Sequence, residues 1–206
     1  MMPVDRPIIF SEPMIRALLE GRKTQTRRVI KPQPKLFDVA PGVPCEVALE
    51  PCDDEPWPRI ALGRVIKRQE VRYRTGMRLW VRENWWTSCI HDGDAPRDLP
   101  RDAPIWFVTD DGARAWGTQR PSIHMPRWAS RMTLTVTDVR VQRLHAISRG
   151  DAMEEGCPFP NMASGPNPRD WFGDLWNSIH GADAWKANPF VVAVTFTVER
   201  RNVDAQ

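Results

Sequence analysis

The sequence predicts a small α+β domain built on a mostly antiparallel β-barrel with flanking short helices and two long loop insertions. Three observations carry that expectation. Short alternating segments recur through the chain, three capped helical patterns are interspersed among them, and no regular strand–helix–strand alternation calls for a parallel sheet. A chain of 206 residues can bury one core without disulfide support, so a single domain over 1–206 is expected.

The first helical pattern is "SEPMIRALLEG". Ser11 stands where a cap is needed, Pro13 suits the first turn, Ile15, Leu18 and Leu19 share a face, and Gly21 supplies the stop. "TQTRRVI" follows with strand alternation, which puts Thr24, Thr26 and Arg28 on one side and Gln25, Arg27 and Val29 on the other. From Lys31 to about Pro58 the chain is proline-rich and aperiodic, with short strands expected between Ile60 and Tyr73. "RLWVREN" alternates as a strand. A second irregular stretch runs from Ser88 to Ile123 and has room for a hairpin. The two insertions are therefore placed at about 32–75 and 88–123.

"SRMTLTVTDVRVQRL" is the strongest strand pattern, and its apolar phase changes at Thr137 and Asp138, which predicts a bulge. "SRGDAMEEG" reads as a helix capped by Ser148 with Asp151 three residues on. "NPRDWFGDLWNSIHG" repeats that grammar, with Asn167 as cap and Trp171, Leu175 and Ile179 as the predicted apolar stripe. "NPFVVAVTFTVER" reads as a closing strand.

Composition narrows the function. The 29 basic and 26 acidic residues leave a mild net charge of +3, so any surface for a polyanion must be local. No apolar run has membrane-spanning length and no secretory leader pattern opens the chain, which predicts a cytoplasmic protein without membrane partners. Cys45, Cys52, Cys89 and Cys157 form no CxxC pair and the four histidines are dispersed. Neither a disulfide nor a metal site is expected, and no cofactor is implied. Ten tryptophans against one tyrosine supply flat faces for core edges or for a base.

Chemistry concentrates in "EGRKTQTRRVIKP", where Arg22, Lys23, Arg27, Arg28 and Lys31 surround Thr24 and Thr26. A threonine nucleophile needs a base, and a lysine serves as one only when burial or neighbouring cations depress its pKa. A carboxylate would orient that lysine or protonate a leaving amine. The residues offer Glu83, Glu154 and Glu155, and do not rank them. Trp80 and Arg82 share one side of their strand and pair a stacking face with a forked donor. Glu83 has a structural alternative as an arginine partner.

Taken in order, "GRKTQTRR", "GMRLWVRENW", "HMPRWASRMTLTVTDVRVQRLHAIS", "DAMEEG", "LWNSI" and "NPFVVAVTF" resemble the ASCH domain family in its longer phage-associated form. That resemblance implies a PUA-like barrel with a nucleic-acid-facing cleft. It also implies a metal-free amidohydrolase acting on N(4)-acetylcytidine or a related modified pyrimidine nucleoside, free or within RNA. By the same resemblance Lys23, Thr26 and Glu155 are the catalytic group; Arg22, Arg28, Trp80, Arg82 and Glu83 are expected, on their own chemistry, to shape the substrate pocket. Whether Thr26 or Lys23 is the nucleophile stays open. The alternatives are a non-catalytic RNA or modified-base binding module and, further off, a ribonuclease, for which no histidine pair presents itself as acid and base. The chain is about twice the length of the minimal family enzymes, and its insertions have no counterpart in them.

Overall fold

Ten residues near the C-terminus, Phe190–Glu199, form the strand around which the sheet is organised. The structure, a computed structural model, describes residues 5–33, 72–110, 117–159 and 165–205. In chain order its elements are β1 (Arg6–Ile9), α1 (Glu12–Leu19), β2 (Gln25–Val29), β3 (Arg78–Arg82), β4 (Trp85–Trp86), β5 (Trp106–Phe107), β6 (Thr133–Arg143), α2 (Arg149–Glu154), α3 (Pro168–His180) and β7 (Phe190–Glu199). The main sheet has five strands in the order β1-β3-β6-β7-β2, and β4 and β5 form a separate antiparallel pair. Only β1–β3 is parallel in the main sheet, whose other pairings are antiparallel.

"FVVAV" in β7 is apolar without alternation because both faces of this strand are covered. Val192, Val194 and Phe196 join the core beneath α1, with Ile15, Leu18, Leu79, Leu134 and Val136. Val191 faces the other way, onto Leu144, Ile147, Ala152, Phe172 and Trp176, so α2 and α3 cover the second face. A third cluster, around Trp85, Leu99, Phe107 and Met125, sits under the β4–β5 pair.

The β6–β7 register shifts between Val136 and Asp138, so the phase change in the sequence is a bulge at Thr137. The helix caps follow their sequence signatures in two of three cases. Ser148 and Asp151 form a reciprocal capping box on α2, and the Asn167 side chain accepts from the Arg169 N–H on α3. At α1, Ser11 occupies the cap position but its hydroxyl makes no cap bond, and its carbonyl instead accepts from Met14 and Ile15.

Three expectations need revision. The apolar stripe of α3 is one residue out of register: Phe172 and Trp176 are buried, Trp171 and Leu175 are half-buried, and Ile179 is exposed. Two overlapping apolar rows run along this helix, and the row with the larger rings turns inward. The hairpin expected within 88–123 exists, but its first strand is Trp85–Trp86, ahead of that range. Among the described residues the sheet is open, because β1 and β2 stand at its two edges without pairing. They do approach: Arg28 Nη2, on β2, donates to the Ile9 carbonyl at the end of β1 at 2.8 Å.

Arg72 and Tyr73 are in coil, and the rest of the short strands expected from Ile60 to Tyr73 falls outside the described residues, as do Cys45 and Cys52. Cys89 and Cys157 are free thiols. Among the described residues no helix is long and apolar enough to cross a membrane.

Leu134 is fully buried near the start of β6, between β3 and β7. Leu134→Ala is expected to destabilise the fold by about 2–5 kcal/mol, read from the denaturant midpoint at unchanged slope.

Candidate active site

The turn after α1 sets the site. Gly21 adopts φ +73°, and the Arg22 and Lys23 N–H groups both donate to the Ala17 carbonyl, which folds the chain back beneath its own helix. Lys23 then forms an isolated antiparallel bridge with Glu155, and the Thr24 N–H donates to the Glu154 carbonyl at 2.8 Å. The end of α2 is thereby tied to the start of β2. Gly156 makes the approach possible: it has φ +102°, and a Cβ there would lie 2.9 Å from the Ala17 Cβ and 3.3 Å from the Lys23 Cβ.

Lys23, Arg27 and Glu155 are each almost wholly buried. Lys23 Nζ donates to Glu155 Oε2 at 2.8 Å and to the Gln25 and Glu155 carbonyls at 2.9 Å each. The other Glu155 oxygen, Oε1, accepts from Arg27 Nη1 at 3.0 Å. Arg27 also pairs with Asp151 at 3.1 Å and donates to Gln25 Oε1. The Gln25 amide in turn donates to Glu154 and to Thr195 on β7. Burial pulls the Lys23 amine below the ordinary lysine value; Glu155 opposes this, and Arg28 and Arg27 reinforce it.

A cavity of about 240 Å³ opens onto this cluster. Lys23, Thr26, Arg27, Arg28 and Glu155 contribute its polar wall, while Phe10, Phe172 and Trp176 contribute flat apolar ones. Lys23 and Thr26, three residues apart, therefore meet the distant Glu155 at one concavity. Among the described residues, Glu155 is the only carboxylate that lines it. His180 stands at the lining too, stacked on Trp176 with ring centroids 4.2 Å apart, and burial, Arg28 and Lys31 hold its pKa below the usual histidine value.

The other residues singled out in the sequence are dispersed. Arg28 borders the cavity and lies over the Phe10 ring. Arg22 lies outside it and donates to the Gly156 carbonyl at 2.6 Å, fastening the same corner. Trp80 is buried with Arg82 stacked on it at 4.5 Å, so that indole face is already covered. Glu83 is buried apart from Lys23, accepting both arms of the Arg131 fork at 2.9 Å and the Thr109 hydroxyl at 3.0 Å. Burial pushes the Glu83 carboxyl up, and Arg131 pulls against that.

Phe172, Trp176 and His180 escaped the sequence reading. Their spacing of four along one helix was the available signal, hidden by the adjacent row Trp171, Leu175 and Ile179.

No family model and no curated protein matches this chain. Among solved structures it is similar to protein EF3133 from Enterococcus faecalis V583, a crystal structure printed with the family model DUF984. The TM-score is 0.41 at 9% identity, covering 100% of this chain and 86% of that one. A likeness at that level carries no argument about chemistry.

Asp151 tests the electrostatics of the cluster. Its pKa is lowered to about 2: burial works against this, and the Arg140 hydrogen bond, the Ser148 N–H and the Arg27 charge outweigh it. A folded pKa below the unfolded value of about 3.9 gives stability that is present above that value and lost as pH falls toward the folded pKa. Wild type should therefore lose stability between about pH 5 and about pH 3 more steeply than Asp151→Asn, which starts lower because cap and arginine contacts weaken. Denaturant midpoints at the two pH values check both statements.

Proposed function

We propose that the chain is an ASCH-type, metal-free amidohydrolase on a PUA-like fold, removing the acyl group from N(4)-acetylcytidine or a related modified pyrimidine nucleoside. One observation carries the reading: Lys23, Thr26 and Glu155 line one cavity with aromatic walls, and the Lys23 amine and the Glu155 carboxylate are in contact at 2.8 Å. A pyrimidine ring fits between flat apolar walls, and its exocyclic amide would then point at the polar one. The open sheet with converging edges is compatible with a barrel closed across the β1–β2 gap.

In this reading the neutral Lys23 amine, favoured by burial, takes a proton as the acyl carbonyl is attacked. The attacking oxygen is either the Thr26 hydroxyl, giving an acyl ester that water then hydrolyses, or a water held by Thr26. The C–N bond breaks as the proton passes to the exocyclic nitrogen, so acid and free amine leave. Glu155 orients Lys23 and stabilises its protonated form, while Arg27 and Arg28 place positive charge near the developing oxyanion. Arg22, Trp80, Arg82 and Glu83 support the pocket from outside the cavity.

A second reading, a non-catalytic RNA or modified-base binder, is favoured by a different observation. Lys23 Nζ has three acceptors within 2.9 Å, as many as an ammonium can use, which suits a structural cation.

The two readings part at Lys23→Ala. For an enzyme, deacylation of N(4)-acetylcytidine, followed by its ultraviolet change, should fall by about 10²–10⁴ with substrate affinity changed far less. Absence of turnover by wild type across a panel of N(4)-acylated cytidines would defeat the enzyme reading. Turnover should also survive EDTA, because a divalent ion at the lone lining carboxylate would sit against Lys23 and Arg27. Zinc-dependent recovery after chelation would overturn that point.

A further inference from the structure

On the far side of Arg28 lies a second cavity, of about 390 Å³, in the gap between the sheet edges β1 and β2. Its lining shares Ile9 and Arg28 with the Lys23 cavity, so the two meet at Arg28. Four cationic side chains line it, Arg28, Lys31, Arg72 and Arg82, and among the described residues no carboxylate does.

These cations differ from six other arginines of the fold. Arg22, Arg27, Arg78, Arg127, Arg131 and Arg140 each contact a carboxylate. None of the four lining the gap has an ion pair among the described residues. Arg28 and Arg82 use part of their forks on backbone carbonyls, of Ile9 and Ile123, and each keeps a buried Nε without a hydrogen-bond partner among the described residues. Burial alone pulls Arg82 below its ordinary value, with no counter-charge opposing it. Guanidinium groups stacked on aromatic rings, Arg28 on Phe10 and Arg82 on Trp80, are held in place with donors to spare.

We propose that this trough binds the phosphate of a pyrimidine nucleotide whose base occupies the adjoining Lys23 cavity, so the substrate is a nucleotide rather than a free nucleoside. The inference rests on the base-binding reading above and adds to it the anion. Phosphate is the ligand chemistry that matches several forked and point cations facing one space without an acid. The shared residue Arg28 spans base site and phosphate site.

Lys31 and Arg72 are exposed, so Lys31→Gln/Arg72→Gln removes charge from the trough without touching the Lys23 cluster. The experiment titrates wild type and this double variant with cytidine, cytidine 5′-monophosphate and a short single-stranded oligocytidylate by calorimetry, with thermal melts confirming the fold. In wild type the phosphorylated ligands should bind at least about tenfold tighter than cytidine, and the double variant should lose that increment while its cytidine affinity is unchanged. If the phosphate comes from a strand, the oligomer should exceed the monophosphate, and its salt slope should be shallower in the variant by about one unit. Equal affinity of wild type for cytidine and its monophosphate, no binding of either phosphorylated ligand, or an increment retained by the variant would overturn the trough.

Deacylation of acetylated nucleoside and nucleotide is measured alongside. Phosphate-dependent binding without any deacylation keeps the trough and removes the enzyme; deacylation indifferent to phosphate does the reverse.

Discussion

Glu155 accepts from two different cations, Lys23 through one oxygen and Arg27 through the other, and the rest of the site is arranged around that division. Taking three ions out of water costs several kcal/mol each, and the cost is offset only when every donor and acceptor is matched. Here the matching draws in Gln25, Asp151, Glu154 and Thr195, so β2, β7 and α2 are held by one polar network. The network is near charge balance, with two cations facing Glu155 and Asp151. Removing a single partner would leave an uncompensated buried charge, which is why the corner between α1 and β2 can adopt few other arrangements.

The alternation of β2 explains how neighbouring arginines come to do different things. Arg27 points toward α2 and α3, where carboxylates consume its fork; Arg28 points the other way, toward Phe10 and the end of β1. Because β2 is an edge strand, both sides of it are reachable from one opening. One residue step along the backbone therefore separates a buried cation paired with two carboxylates from one that has no ion pair among the described residues. A central strand such as β7 could not serve, since both its faces are sealed by apolar side chains.

Local signals were legible in the sequence and long-range ones were not. The capping box of α2, the Gly21 stop and the Thr137 bulge depend on side chains a few residues apart, and each is readable from spacing. The basic corner could be recognised as chemistry, but Glu83, Glu154 and Glu155 were indistinguishable as partners without the family resemblance. What separates them is tertiary: Arg131 claims Glu83, Gln25 claims Glu154, and the Lys23 bridge claims Glu155. "RPII" of β1 is too short to show a period, and its parallel partner β3 lies some seventy positions on. The α3 stripe was misplaced by one residue because periodicity measures spacing, not the direction in which two competing rows will turn.

Two opposing effects act on the Lys23 amine, and their balance is what the site's chemistry turns on. Three acceptors favour the ammonium; burial and the two arginines favour the neutral amine, and the net direction is downward. Burial is the largest of the downward effects; Arg28 and Arg27 add smaller ones, and Arg27 also shares Glu155 with the lysine. A lysine paired with an undivided carboxylate would stay protonated and inert as a base. By sharing Glu155 with Arg27, the fold keeps an orienting hydrogen bond on Lys23 while weakening the electrostatic hold that the same carboxylate would otherwise exert.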